Sequence, residues 1–428
     1  FAVKNIESTS DQLTVVVHNK YNTKLPMQLS GYDQNNKLIA SKWFDMTGEE
    51  RQSLKFEDAG FAKIVINGEA TLFEDNHRNN DKELQKMQVS DPNINVNFMK
   101  VGGDSHTLNV NVLPMVQHNS YDGLMLGMVA FSDVFPKENI SYYFNPNYAF
   151  SSQDLAGSFA VQKDIYFEGK ALKSFAIGLE GRQYHFAENE MLDYDLKYKK
   201  VTPYLKLNFS HDLYNYSQLE YKWHHINRED VTFTPSIEVL IDNSNFNVHQ
   251  LVFSKYAKKM LSSYDLKIQL QYEKYNQPFE NKGEYLKTSF EYSTRLNYNK
   301  NSKFFFRFYG SYFPINTQRN SSNFADIFTR GSVALSANGI TDYAYDNYYF
   351  SRTGEGNSAS SQIIIDDLGF KNTFETYSKE GMSNNYAMAV NLKADLPFSI
   401  FSVIKVRPYI DAALSNTKSV TADPLKNV

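Results

Sequence analysis

Nine histidines and no cysteine set the imidazole and thiolate chemistry open to this 428-residue chain. The lack of Cys excludes disulfides, thiolate metal sites and a cysteine nucleophile. His224 and His225 are adjacent. On a strand, neighbours point to opposite faces, so these two cannot share one metal ion. His118 and Asp122 are four residues apart, a ligand spacing on a helix. Gly123 and the alternating surroundings read as strand instead, and a structural role is expected. His185, between Tyr184 and Phe186, is expected in an aromatic belt rather than on a metal. Asp366 and Asp367, near Gly369, are too few for calcium, which takes about six to eight oxygens; a solvated turn is expected. RTGEGNS (352–358) contains Gly-x-Gly without a strand-to-helix context and reads as a flexible loop. No Ser/His/Asp spacing is visible. Tyr121-Asp122-Gly123, followed by Gly127, reads as a turn opening a strand whose glycine lets another backbone approach. No residue is therefore assigned a catalytic, cofactor-binding or metal-binding role.

The elements that would position these groups follow from composition and period. Lys and Arg number 44 against 48 Asp and Glu, a net charge of −4. There is no basic surplus for phosphates, which argues against nucleic acid as a partner. Tyr and Phe number 30 and 32, yet mean hydropathy is −0.50. So many aromatic residues argue against disorder. No apolar run reaches the roughly 18 residues of a membrane helix. The class that is both aromatic-rich and polar on average is the membrane β-barrel.

Residues 1–95 read as a small β-sandwich: strands at 12–21, two around a turn at Asp33–Asn36 within 26–44, then 50–58 and 61–69. The charged stretch 75–93 reads as a linker or short helix. From about 106 the texture changes. Val201, Pro203, Leu205, Leu207 and Phe209 alternate with Thr202, Tyr204, Lys206 and Asn208. Leu286, Thr288, Phe290 and Tyr292 share one parity; Tyr285, Lys287, Ser289, Glu291 and Arg295 share the other. Segments at 218–223, 266–272 and 386–396 behave likewise. Such runs are long enough for tilted membrane strands, longer than the usual soluble strand. Tyr142, Tyr143, Tyr148, Phe150, Tyr285, Tyr298, Phe304 and Phe313 fall near strand ends, where interfacial girdles belong. Lys206, Lys222, Lys267, Glu291 and Arg295 are expected to line a lumen.

Connections alternate in length. Those at 210–215, 258–263 and 299–302 are short; those at 226–247, 276–283, 314–323 and 339–361 are longer and polar. That alternation matches periplasmic turns and extracellular loops, with the first strand (106–115) starting in the periplasm. The expected fold is all-β: the sandwich of 1–95, then a transmembrane antiparallel β-barrel over 96–428 of roughly 12–14 or more strands, expected to be incomplete at its C-terminus. Phe1 is not Met, and SVTADPLKNV closes the chain without a strand pattern, so an internal piece of a longer polypeptide is expected.

Residues 119–159 resemble the first strands of a barrel at the C-terminus of certain aminopeptidase-N-like zinc metallopeptidases of Bacteroidota. The pattern falls on Tyr121–Gly123, Gly127, Pro146 and Tyr148, and Leu155 and Gly157. Residues 342–398 are similar to the C-terminal part of that barrel, and 18–44 with 73–81 to the sandwich after the catalytic domain. The resemblance covers most of the chain. None of the nine His forms the His-Glu-x-x-His motif of those enzymes. The resemblance thus implies a non-catalytic C-terminal part, with zinc and any peptidase domain upstream of Phe1. The expected function is an outer-membrane anchor for a periplasmic domain, with outer-membrane lipid and other outer-membrane proteins as partners. A porin, an assembly barrel and a structural subunit of a larger complex are the alternatives.

Overall fold

The computed structural model describes residues 2–8, 12–19, 22–57, 60–68, 72, 80–84, 94–100, 108–134, 140–167, 171–189, 194–212, 214–233, 239–275, 283–300, 302–317, 319, 334–336, 342–346, 363–365, 367–373, 383–396 and 406–416. All regular elements among them are strands. The chain divides into two compact units. One comprises Phe1–Met115, Met128–Asn145 and Val161–Lys163; the other comprises Val116–Gly127, Pro146–Ala160 and Asp164–Val428.

In the first unit, β1 (Ala2–Ser8), β2 (Gln12–His18) and β5 (Arg51–Glu57) form one sheet. A second has the order β4 (Leu38–Asp45), β3 (Pro26–Tyr32), β6 (Lys63–Ile66), β7 (Asp81–Glu83). Alternate residues of both meet in one core: Leu13, Val15, Val17, Leu54 and Phe56 against Met27, Leu29, Ile64 and Ile66. Period two supplies each sheet with an apolar face, and the pair buries it as a sandwich. The turn at Asp33–Asn36 forms as expected. Asp33 Oδ1 accepts from the N–H groups of Asn35 and Lys37, both at 2.8 Å, and Asn36 takes φ 59°. Within 75–93, Asp81–Glu83 is a strand rather than helix, paired with β6.

The large sheet has 14 strands. In chain order these are β8 (Ile94–Phe98), β9 (Leu108–Asn119), β10 (Gly123–Phe131), β11 (Ile140–Ala149), β12 (Leu155–Tyr166), β13 (Ser174–Asn189), β14 (Tyr194–Asp212), β15 (Asn215–Phe233), β16 (Val239–Lys258), β17 (Ser262–Tyr275), β18 (Gly283–Asn299), β19 (Ser302–Asn316), β22 (Tyr386–Ala394) and β23 (Tyr409–Asn416). A separate hairpin, β20 (Ile363–Ile365) with β21 (Lys371–Thr373), lies between β19 and β22 in sequence. Spatial order follows chain order from β8 to β23, and every pair from β13 onward is antiparallel.

Three features depart from expectation. First, β8 pairs with β9 in parallel, Ile94 opposite Leu108 through Phe98 opposite Val112. The equivalent Asn residues then stack: Asn95 Nδ2 donates to Asn109 Oδ1 at 3.2 Å and Asn97 Nδ2 to Asn111 Oδ1 at 3.2 Å. Second, the connection expected over 226–247 is mostly strand. β15 and β16 pair continuously from Ile226–Phe246 to Phe233–Val239. Polar side chains there do not prevent a ladder that satisfies the backbone, and Asn227 even donates to Asn245 across it at 3.0 Å. Third, among the described residues the sheet is not closed: β8 and β23 are its edges.

Candidate functional site

The two faces of the large sheet invert the polarity of a soluble fold. On β14, Val201 and Leu205 are exposed, while Lys200, Thr202 and Tyr204 are buried. On β17 and β18, Ile268, Leu270 and Phe290 are exposed, while Gln271, Glu273 and Lys287 are buried. On β15, Trp223 is exposed and His224 is fully buried. Ordinarily the charged groups would face water. Here period-two alternation puts apolar side chains outward and polar ones on the covered face.

What lies over that face are the described parts of the connection between β19 and β22, which contact strand after strand. Arg182 of β13 donates from Nη1 to the carbonyls of Tyr345, at 3.2 Å, and Asp346, at 3.0 Å. Lys200 of β14 donates to the Ala344 carbonyl at 2.6 Å and pairs with Asp346 Oδ1 at 2.5 Å. Tyr343 donates from its hydroxyl to Gln271 Oε1 of β17 and accepts from Lys287 Nζ of β18, both at 2.8 Å. Lys287 also donates to the Ala334 carbonyl at 3.1 Å. Tyr309 of β19 donates to the Leu335 carbonyl at 2.7 Å. Farther along, Arg307 reaches the Asp367 carbonyl at 2.7 Å, and Asn391 of β22 donates to the Leu368 carbonyl at 3.0 Å. Lys200 and Lys287, the buried cations among these, are tolerated because each finds a carbonyl, with the Asp346 carboxylate or the Tyr343 hydroxyl beside it.

Aromatic contacts fix the same connection. Tyr345 stacks on Tyr198 with centroids 3.9 Å apart and meets Phe186 edge-on at 5.6 Å. Leu335 and Leu368 pack with Tyr285, Tyr309 and Phe313. Tyr285 and Phe313 therefore belong to this covered cluster, both fully buried, and not to a girdle. Their parity decides this: Tyr285 shares a face with Lys287. Tyr143, Tyr148, Phe150 and Tyr298 are exposed as the girdle reading requires.

A second cluster joins three hairpin ends. Asn119 Oδ1 accepts from the backbone N–H of Tyr121 at 2.9 Å and of Asp122 at 2.6 Å. Asp122 then accepts from Asn119 Nδ2 at 2.7 Å, Ser152 Oγ at 2.9 Å and the His185 backbone at 3.1 Å, and lies 2.6 Å from His185 Nδ1. On the far side of the ring, His185 Nε2 is 3.6 Å from Asp195. The result is a pin between turns and strand ends. His185 is buried against Asp122 rather than set in an exposed aromatic belt. The β-bulge between His185 and Ala187 breaks the local alternation that the belt reading assumed.

The other sequence candidates fall as follows. His224 and His225 do point apart: His224 Nδ1 is 3.0 Å from Thr202 Oγ1 on the covered face, and His225 Nδ1 is 2.9 Å from Asn247 on the other. His118 lies on β9, and Asp122 turns to His185 instead. Gly123 opens β10 with φ 62°. A Cβ on Gly127 would sit 2.0 Å from the Pro146 carbonyl oxygen, the close backbone approach expected there. Asp367 lies in a turn; Asp366 and 352–358 lie outside the described residues. Lys206, Lys222, Lys267, Glu291 and Arg295 share the covered parity with Lys200 and Lys287. Among the described residues no group of three or more His, Asp or Glu is arranged to hold a metal. Sequence reasoning missed Arg182, Lys200, Lys287, Tyr343 and Tyr345 as a set, because the connection that unites them carries no alternating pattern.

No protein-family model matches the chain, and no curated protein does. Among solved structures, that of BamA from Haemophilus ducreyi lacking POTRA domains 1-3 is similar, at 14% sequence identity and a TM-score of 0.38. The similarity covers 74% of this chain, which spans 61% of the BamA chain.

Proposed function

We propose that the large sheet is the wall of an outer-membrane β-barrel that anchors the small sandwich of residues 1–95, with 96–428 forming the barrel portion. The observation that carries this reading is the inverted polarity. A face presenting Leu205, Ile268, Leu270 and Phe290 to the surroundings while Lys200, Glu273 and Lys287 are covered is costly in water and favourable in lipid. A spanning sheet must also close, because hydrocarbon offers no partner to unpaired backbone groups. β14 runs into β15, β16 into β17 and β18 into β19 at one end of the antiparallel sheet after only a few residues; that shortness supports a periplasmic assignment. The chain enters β9 at that same end, which supports a periplasmic sandwich. A metallopeptidase domain upstream of Phe1, carrying the zinc motif, rests on the family resemblance alone.

The covered face favours an anchor over an open solute pore, since Ala334–Ser336 and Asp342–Asp346 lie across it. The absence of native cysteine makes a direct test simple. Single cysteines at Thr288, Phe290 and Tyr292, and at Ser289, Glu291 and Ser293, would be labelled with a fluorophore after reconstitution into brominated-lipid vesicles. The first set should be quenched and the second spared. Equal quenching of both sets, or release of the chain by carbonate, would remove the membrane reading. Large steady currents in planar bilayers would replace the anchor with a pore.

A further inference from the structure

The covered face also holds a cavity of about 780 Å³, walled by strand ends from β16 to β23 and by the β20–β21 hairpin. That volume lies within the roughly 300–1,000 Å³ typical of small-molecule sites. Arg295, Arg307, Lys371, Lys393 and Arg407 line it, against the carboxylates of Asp265 and Asp411. Two of the cations are already engaged. Arg307 pairs with Glu291 at 2.6 Å, and Arg407 with Asp395 at 2.6 Å. Asp411 accepts from Asn391 Nδ2 at 2.9 Å.

Arg295 differs. Its Nε is buried and has no hydrogen-bond partner among the described residues. Asp265 lines the same cavity but forms no ion pair with Arg295 among the described residues. An unmatched buried Nε is costly, and the Arg295 side chain, only partly buried as a whole, lines the cavity. Lys371 Nζ lies over the Tyr409 ring at 4.2 Å and Lys393 Nζ beside the Phe305 ring at 5.6 Å. After the four carboxylates are counted, one positive charge remains, and it sits among aromatic surfaces. A guanidinium fork recognises planar carboxylate or phosphate oxygens through paired N–H donors, and flanking rings suit an apolar body.

We propose that this cavity binds an organic anion, its carboxylate or phosphate held by Arg295 with Lys393 and Lys371, and its aromatic or aliphatic body against Tyr256, Phe305 and Tyr409. The site rests on its own geometry and holds whether or not the sheet spans a membrane. The test is calorimetric titration of the full chain in detergent with 1-naphthyl phosphate, 1-naphthoate, inorganic phosphate and neutral 1-naphthol. One or both naphthyl anions should saturate a single site, and which one binds more tightly separates phosphate from carboxylate recognition. Inorganic phosphate should bind more weakly and 1-naphthol should not saturate. Arg295→Gln should weaken the preferred anion by about tenfold or more, the scale of a lost charge-assisted contact. Unchanged circular dichroism would show that the variant is folded. Equal binding of 1-naphthol, or an unaffected folded Arg295→Gln, would overturn the proposal. If Arg295→Gln does not fold, the double substitution Lys371→Gln with Lys393→Gln decides: unchanged affinity would overturn it and a loss of about threefold or more would support it.

Discussion

Tyr198 of β14 and Tyr345 of the β19–β22 connection are stacked face to face, 3.9 Å between centroids at 21°, although 147 positions separate them. The stack sits beside the Lys200–Asp346 pair and fastens the connection to the strand. Removing the ring should therefore loosen the whole contact. Tyr345→Ala is expected to cost about 3 kcal/mol, typical of a buried aromatic truncation, in urea unfolding followed by tryptophan fluorescence in micelles. A double-mutant cycle with Tyr198→Ala should return a coupling of about 0.5–1.5 kcal/mol. Strict additivity would mean that the two rings do not support one another.

Leu205 and Lys206 are neighbours on opposite faces of β14. If the exposed face meets lipid, Leu205→Arg should destabilise the vesicle-inserted state by about 2–4 kcal/mol. Lys206→Leu leaves that face alone and should retain insertion, costing its pair with Glu220 and its contact over the Tyr204 ring. Folding yields into vesicles across a urea series measure both. Similar tolerance at the two positions would contradict the assignment of faces.

Asp122 lies in the turn after β9, beyond the strand ends. Burial alone would raise its carboxyl; hydrogen bonds from His185, Asn119 and Ser152, with the charge of His185, outweigh that and hold it below the ordinary range. A carboxyl lowered in the folded state contributes fully above its unfolded value, about 3.9, and loses that contribution as pH falls through the folded value. Stability measured from pH 6 downward should therefore drop below about pH 4 in the natural chain. Asp122→Asn should be less stable at pH 6 and show a shallower decline. Parallel curves for the two proteins would discard the pin as a source of acid sensitivity.

Gly127 leaves no room for a side chain beside Pro146 and Asn147. Gly127→Val should cost about 1–3 kcal/mol through overpacking and local backbone shift. Gly60 has nothing within 4 Å of a built Cβ but takes φ 76°, so Gly60→Val should cost backbone strain and leave the large sheet intact. Thermal unfolding combined with amide exchange on β10 and β11 distinguishes them. Undisturbed exchange on those strands in Gly127→Val would show that the neighbouring backbone yields freely.

The sequence by itself determined most of the long strands, their parity and much of the face assignment, because alternation is a property of neighbours; the polar ends of β15 and β16 and the short β7 escaped it. It placed His224 and His225 on opposite faces, opened β10 at Gly123 and put Tyr285 with Lys287 on one side. It also located the Asp33–Asn36 turn, where short side chains act on their own backbone. Other features required contacts between distant residues. The parallel addition of β8 to β9 depends on like residues meeting in register, Asn95 with Asn109. The burial of His185 depends on Asp122, 63 positions away, and on a bulge. Tyr285 and Phe313 sit under Leu335 because a connection without periodicity folds onto the polar face. Alternation says which way a side chain points; only the tertiary structure says what it meets, since that depends on which distant backbone can satisfy its hydrogen bonds and fill the space beside it.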